Sequence, residues 1–157
     1  MPTWFDSLPD ELQNTIMKIK VVLPDREFEH DFRPDVGIVY DRLEQQLEDT
    51  PPQFVFWSVV YAEQKAKVSI LERELLMAKS KAERMISEEL RKSNAKLGRQ
   101  EINAVIELND IVHRISCKII DEEKKLYKLK AVVEALKMKT DNLRSLAGFK
   151  REEHRAS

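Results

Sequence analysis

The chain has 157 residues, of which 35% are charged and only three are glycine, and its formal net charge is −1. The length fits a single domain, and high charge with few helix breakers favours long exposed helices over a compact α/β core. One cysteine excludes an internal disulfide framework, and the scattered His30, His113 and His154 leave no zinc-ligand spacing. We therefore expect neither a metal nor a cofactor.

The sequence also bears on the compartment of the protein. No run of about 20 apolar residues is present, so we expect no membrane span. The N-terminus is acidic and lacks the apolar segment of a signal peptide. A lone cysteine agrees with a reducing environment. We therefore expect a cytoplasmic protein.

Residues 1–50 are predicted to form an acidic N-terminal arm with short helices. The Ser-Leu-Pro-Asp-Glu sequence at 7–11 is typical of a capping box, which predicts a short helix over about 9–20. A second short helix is expected over 36–47. The Asp-Thr-Pro-Pro sequence at 49–52 should end it, because a residue before proline disfavours the helical conformation.

A first long helix is predicted from about residue 52 to about residue 92. Mostly apolar residues recur along this helix at alternate spacings of three and four, and we call this line of residues its seam. The spacing averages about 3.5 residues, which is the repeat of supercoiled helices. This first seam consists of Trp57, Tyr61, Gln64, Val68, Leu71, Leu75, Ala78, Ala82 and Met85.

A cluster of Ser, Asn and Gly predicts a linker over 93–98, followed by a short helix over 99–107. Asn109 and Asp110 are expected to cap a last helix over 111–147, with Gly148 as its stop. The tail 150–157 is expected to fray. The last helix carries a second seam: Val112, Ile115, Ile119, Glu122, Leu126, Leu129, Val133, Leu136, Thr140, Leu143 and Ala147.

These elements predict an all-α fold in which two long helices form a hairpin or coiled coil with short N-terminal and central helices. We expect an acidic arm over 1–50, a long helical hairpin that mediates oligomerisation over 51–150, and a flexible tail over 151–157. The seams pair either within one chain or between chains of a homo-oligomer. The predicted oligomerisation residues are Trp57, Leu71, Leu75, Leu126, Leu129, Val133, Leu136 and Leu143.

Catalytic chemistry finds little support in the sequence. The acids at 88–89 and 121–123 are flanked by basic residues, which is typical of solvated helix faces rather than metal sites. Glu122 lies in the seam, where a single polar residue can specify register. Cys117 is expected to be a partly buried, inert thiol. With no glycine-rich phosphate loop and no nucleophile with a base, we expect no enzyme.

Charge is distributed unevenly along the chain. Residues 1–50 carry a net charge of −7, whereas residues 124–157 carry +6. Such asymmetry suggests either a basic surface for a polyanion or head-to-tail electrostatic packing between subunits. Off the seams, basic residues follow the first long helix, and Lys130, Lys137 and Arg144 repeat every seven residues in the last. Such cations either contact phosphates or merely solvate the helices.

A resemblance to a known family favours the first alternative. Trp57 opens the long helix and is followed by Glu-Gln-Lys-Ala at 63–66, by Leu-Glu-Arg-Glu-Leu at 71–75 and by Lys-Ser-Lys-Ala at 79–82. A closing Leu-Tyr-Lys-Leu-Lys-Ala-Val-Val-Glu-Ala-Leu spans 126–136, and Asp141 and Leu143 follow it. Over roughly residues 36–150 this pattern resembles the phage recombination mediators of the UvsY type.

The resemblance implies a homo-oligomeric helical protein that binds single-stranded DNA (ssDNA). It would help load a RecA-like recombinase onto ssDNA coated with single-strand-binding protein. Lys79 and Lys81 lie nearest to the position of the family's Lys-x-Arg pair, with lysine where the family can have arginine, and the two residue types do not bind phosphate in the same way. The expected DNA-binding residues are Lys79, Lys81, Arg84, Lys65 and Lys67. The alternative is a structural coiled-coil adaptor or a phage assembly chaperone.

Overall fold

The computed structural model describes residues 9–11, 17–22 and 26–156. Among these residues, two long helices account for most of the fold, and the all-α prediction with a helical hairpin is confirmed. The chain divides into a terminal unit, Met1–Ala62 with Tyr127–Ser157, and a central unit, Glu63–Leu126. The elements are β1 Lys18–Val22, β2 Glu27–Asp31, α1 Arg33–Val36, a 3₁₀ turn Tyr40–Arg42, α2 Leu43–Ser93, α3 Arg99–Glu107 and α4 Asp110–Ala156.

Helix α2 begins at Leu43 and contains both Pro51 and Pro52. The predicted separate helix over 36–47 and the predicted break at 49–52 are therefore wrong. Proline inside a helix removes a backbone donor and crowds the preceding turn, which destabilises it by roughly 3 kcal/mol. Here side-chain burial on both sides of the prolines opposes that effect, because Leu43 packs on Leu143 and Ala147 before them and Trp57 enters a core after them.

The connection between α2 and α4 follows the sequence prediction closely. Asn94 adopts φ 54°, and the Ala95 N–H donates to the Leu90 carbonyl at 3.1 Å, which is a Schellman ending of α2. Helix α3 has the predicted bounds. The Asn109 side-chain oxygen accepts from the Ile111 N–H at 3.0 Å, so the predicted N-cap of α4 is confirmed.

A two-stranded antiparallel hairpin packs against the helices of the terminal unit. In β1 the apolar Ile19 and Val21 are buried and alternate with exposed or half-buried residues, as expected for a strand with one covered face. The predicted helix over 9–20 is wrong at 18–20, and its residues 12–16 lie outside the described part of the chain. The period-two alternation of Lys18–Val22 with its β-branched residues is the signal that the prediction missed.

The terminal unit has two apolar cores between antiparallel stretches of α2 and α4. In the larger core, Trp57 and Val60 of α2 pack with Leu129, Val132 and Leu136 of α4, and Phe32 makes an edge-to-face contact with the Trp57 ring. Since the smaller core, around Leu43 and Leu143, uses residues earlier in α2 and later in α4, the two helices run in opposite directions here.

A buried lysine ties α1 to α4 within this unit. Lys139 is only 6% exposed, and its Nζ donates to the Asp35 carbonyl at 2.6 Å. Burial lowers the pKa of the Lys139 amine, and the nearby carboxylates of Asp35 and Asp49 oppose that shift. The Asp35 carboxylate in turn contacts His30 Nε2 at 2.5 Å. The N-terminal segment is thereby fixed to α4 by polar as well as apolar contacts.

The central unit is built from α3 and the adjoining parts of α2 and α4. Its buried core residues Ala82, Ile106 and Val112 come one from each of these three helices. Half-buried Leu75, Ala78, Ile86 and Ile102 surround them. The short helix α3 therefore completes a three-helix core at this end of α2.

Helix α4 runs through Gly148 to Ala156, so the predicted stop at Gly148 is wrong. Residues 150–156 of the predicted tail are helical, and residue 157 lies outside the described residues. A terminating glycine normally takes a positive φ, and no glycine of the chain does. Packing continues beyond the expected end: Ala147 is buried in the core around Leu43, and Lys150 lies 3.9 Å from Glu44. Tertiary contacts therefore extend the helix beyond its local stop signal.

We predict that Leu136→Ala destabilises the protein by about 2–5 kcal/mol, because Leu136 is fully buried and its removal leaves a cavity in the larger core. Urea unfolding followed by far-UV circular dichroism measures this loss. The matched control is Met138→Ala, which removes a side chain 65% exposed on the same helix and should change stability by less than about 0.5 kcal/mol. Equal effects of the two substitutions would contradict the described core.

Candidate nucleic-acid interface

The five predicted DNA-binding residues all lie on α2 in the central unit. Successive residues of an α-helix are rotated by about 100°, so side chains two positions apart lie on nearly opposite sides. Lys79 and Lys81 are two positions apart, and so are Lys65 and Lys67. The five residues therefore cannot form one surface, and the contacts of each decide where it lies.

Lys79 lies on the side of α2 that faces α3. Its Nζ donates to Glu107 Oε1 at 2.6 Å, and both side chains are partly exposed. A second ion pair, between Arg99 and Glu83, joins the other end of α3 to α2. Lys79 thus helps to hold the short helix, and its charge is already partly neutralised.

Lys67 belongs to a polar cluster built around Glu122, which is 6% exposed. The Lys67 Nζ lies 3.0 Å from Glu122 Oε2, and the Lys125 Nζ lies 3.2 Å from Glu122 Oε1. Gln64 Nε2 donates to the same carboxylate at 2.7 Å and to the Glu122 carbonyl at 2.9 Å. Lys67 is therefore occupied in a structural contact.

The electrostatics of this cluster follow from its donors. Burial by itself would raise the pKa of the Glu122 carboxyl, but the hydrogen bonds from Gln64, Lys67 and Lys125 together outweigh it and lower the pKa to about 2. Glu122 and Gln64 are two of the three polar residues in the seams, and their side chains meet. The prediction that Glu122 specifies register remains an interpretation, now with its partners identified.

The structure brings Lys81 and Arg84 together. Both are exposed on α2, and with Leu76, Met77 and Ser80 they line a shallow concavity of about 350 Å³. Within the described part of the chain neither cation forms an ion pair or a hydrogen bond. Lys65 is exposed as well and has no such contact, but it lies on another side of the helix.

Two further arginines share the side of Lys81 and Arg84, and the sequence analysis did not select them as DNA-binding residues. Arg73 precedes Arg84 by three turns, and Arg91 follows it by two, so all four cations lie on one side of α2. We call Arg73, Lys81, Arg84 and Arg91 the outer basic face. The signal in the sequence was the spacing of these four cations by roughly whole helical turns. The sequence analysis followed the family's pair of basic residues two positions apart and did not use that spacing.

The outer basic face ends at an exposed turn that is also basic. Lys92 and Lys96 are exposed there, and no acidic residue occurs between Glu89 and Glu101. Arg99 completes the run but is paired with Glu83. Positive charge thus continues from the helix into the connection that precedes α3.

The predicted oligomerisation residues lie inside a single chain. Trp57, Leu71, Leu129, Leu136 and Leu143 are buried there. Leu75, Leu126 and Val133 are half-buried. Packing within the chain accounts for all eight side chains, so homo-oligomerisation stays a prediction that needs another surface. Met85, the last residue of the first seam, is exposed, and Ile86 packs in its place.

Other chemistry is limited among the residues that the structure describes. No three His, Cys, Asp or Glu side chains converge there as metal ligands would. Cys117 is exposed, so its expected partial burial is wrong. Its Sγ lies 3.6 Å from His113 Nε2 on the preceding turn of α4. None of the described helices is long and apolar enough to cross a bilayer.

Comparisons with protein-family models, with curated proteins and with solved structures find no match to this chain. A functional proposal for this chain therefore rests on the geometry within each unit and on the sequence resemblance.

We predict that Glu122→Gln lowers stability at neutral pH by about 1–3 kcal/mol, because it weakens charge-assisted hydrogen bonds in a buried site. The folded pKa is about 2 and an unfolded glutamate titrates near about 4.3. On acidification the unfolded state takes up the proton first, so the wild type loses this contribution between about pH 5 and pH 2.

Urea unfolding across that pH range tests this. The variant should lose less stability than the wild type on acidification, and the two curves should converge near about pH 2. The control is Asp121→Asn, an exposed carboxylate one residue away. A difference in the free energy of unfolding between variant and wild type that stays constant at all pH values would contradict the role of the ionised carboxylate.

Proposed function

We propose that this protein binds single-stranded DNA through the outer basic face of α2 and acts as a recombination mediator, without catalysing a reaction itself. The observation that carries the proposal is the pair Lys81 and Arg84, which are adjacent, exposed and unpaired within the described residues. Arg73 and Arg91 extend the same side of the helix over 18 residues, or about 27 Å at 1.5 Å per residue.

Charge and shape both favour a single strand as the ligand. Lysine and arginine side chains neutralise phosphates irrespective of sequence. Leu76 and Met77 are exposed by 66% and 61% beside these cations, so they offer apolar contact to bases, which a duplex keeps stacked inside. The absence of aromatic side chains in this concavity favours weak, sequence-independent contact.

The second part of the proposal concerns partners and rests on the sequence resemblance. UvsY-type mediators act on ssDNA together with a RecA-like recombinase and a single-strand-binding protein. We propose the same partners for this chain, with homo-oligomers that place several outer basic faces on one strand. Linked weak sites of that kind bind a long polyanion far more tightly than one site does.

The rival function is a structural coiled-coil adaptor or assembly chaperone. The exposed apolar residues Ile70, Leu76 and Met77 favour it, because they lie along the side of α2 opposite its buried seam. On this alternative the apolar side chains contact another protein, and the cations only maintain solubility. The two functions differ in the expected response to salt and to charge removal.

We predict that the wild type binds fluorescent oligo-dT with an affinity that falls steeply as salt increases. Removal of two phosphate contacts in Lys81→Gln/Arg84→Gln should lower the slope of log affinity against log salt by roughly 1.4, at about 0.7 per single-strand contact. Fluorescence anisotropy over a salt series measures both quantities. Circular dichroism should show an unchanged helix content, since neither side chain contacts another element.

The matched control is Lys79→Gln, two residues away on the opposite side of the helix and paired with Glu107. Its salt slope should equal that of the wild type. A folded wild-type protein that fails to bind oligo-dT at low salt would refute the proposal. For the mediator role, the wild type should shorten the lag of a RecA-like recombinase ATPase on coated ssDNA, and the double variant should not.

A further inference from the structure

Four exposed cations of α4 repeat every seventh residue in the terminal unit: Lys130, Lys137, Arg144 and Arg151. Seven residues make two helical turns, so these side chains lie along one side of the helix. We call them the C-terminal basic stripe. The sequence analysis followed it only to Arg144, because the helix was expected to end at Ala147. The observed helix adds Arg151 and, one turn later, Arg155.

Gly148 lies within this arrangement, four residues after Arg144 and three before Arg151. Glycine inside a helix is destabilising relative to alanine, so its presence calls for a reason. Packing does not supply one, because a Cβ placed at Gly148 would meet no neighbouring atom within 4 Å. The missing side chain leaves bare helix backbone between two arginines, where a ligand can approach closely.

Acidic residues lie near the stripe along its whole length: Glu134, Asp141 and Glu152. Lys130 lies 3.9 Å from Glu134, and Arg144 lies 3.8 Å from Asp141. Both pairs are exposed and long, so they are weak and a phosphate can replace the carboxylate. Among the described residues, neither Lys137 nor Arg151 forms an ion pair. Of the two arginines nearest to Gly148, Arg151 is therefore unpaired, and Arg144 has only the weak contact with Asp141.

We propose that the C-terminal basic stripe and Gly148 form a second phosphate-binding surface for single-stranded nucleic acid, on a different helix and in a different unit from the outer basic face. The inference rests on the proposed function, since it assigns a further surface to the same ligand class. Arginine binds phosphate oxygens in a bidentate manner, and Arg144 and Arg151 lie one helical turn before and after Gly148. A cation every ~10.5 Å suits a flexible strand that adapts its backbone.

The first test removes charge from the stripe. Arg144→Gln/Arg151→Gln should lower the salt slope of oligo-dT binding by roughly 1.4, as expected for two lost phosphate contacts. The matched control is Lys118→Gln/Lys124→Gln, which makes the same change in net charge at exposed positions of α4 in the central unit. It should keep the wild-type slope.

The second test separates binding from stability. Gly148→Ala should raise the melting temperature, because alanine is the better helix former and its methyl group meets open space. The same substitution should weaken oligo-dT binding, because the methyl group obstructs the approach to the backbone. A purely structural glycine would change the melting temperature and leave the affinity unchanged, which would overturn the assigned role of Gly148.

The outcomes distinguish this inference from the proposed function. If the wild type fails to bind oligo-dT, both fail together. If it binds and only the Lys81→Gln/Arg84→Gln variant loses affinity, the stripe is not a phosphate surface and the proposed function stands. Equal losses of oligo-dT affinity in the stripe variant and in its control would show that net charge alone determines binding, which would overturn the inference. If the Arg144→Gln/Arg151→Gln variant binds DNA as the wild type does but is no longer retained on immobilised poly-glutamate, the stripe binds an acidic polypeptide instead.

Discussion

Burial of one side of each long helix within a single chain is the constraint on which the other features depend. Leu136 and Leu143 are fully buried in the terminal unit, and Val112 in the central unit, without any second chain. Where the seams are polar, Gln64 and Glu122 meet each other rather than solvent. A shift of register by one turn would remove Gln64 and Lys67 from the buried Glu122 carboxylate and leave it only Lys125 of its own helix, which is unfavourable. Apolar burial therefore provides the attraction, and we interpret this polar contact as the feature that specifies one alignment.

Once the seams are buried, the remaining sides of the helices determine what the protein contacts. Cations near the seams become structural, as Lys67 and Lys79 do through Glu122 and Glu107. Cations farther around the helix, such as Lys81 and Arg84, keep their charge available. Similar lysines two residues apart thus take different roles for a purely geometric reason, and a count of basic residues along the sequence cannot separate them.

The sequence predicted the features that are encoded locally. The spacing of apolar residues gave both seams, and Asn109 and the bounds of α3 followed from capping chemistry. The prolines at 51–52 and Gly148 were misread, because their local preference is overridden by packing with residues about 100 positions away. The ion pair between Lys79 and Glu107 also joins distant segments. Two of the four residues of the outer basic face, Lys81 and Arg84, were therefore predictable from the sequence. The division of the cations into paired and unpaired ones required the tertiary structure.

The discontinuous composition of the terminal unit has a consequence for the order of folding during synthesis. The central unit is one uninterrupted stretch, Glu63–Leu126, so its three-helix core can close as soon as that stretch has left the ribosome. The first turns of α2, with their two prolines, must wait for Leu143 and Ala147 near the end of the chain. Early closure of the central unit shortens the loop that remains to be ordered and so reduces its entropic penalty. Premature termination near residue 140 would thus leave the beginning of α2 without its partner, although α2 itself had been made in full.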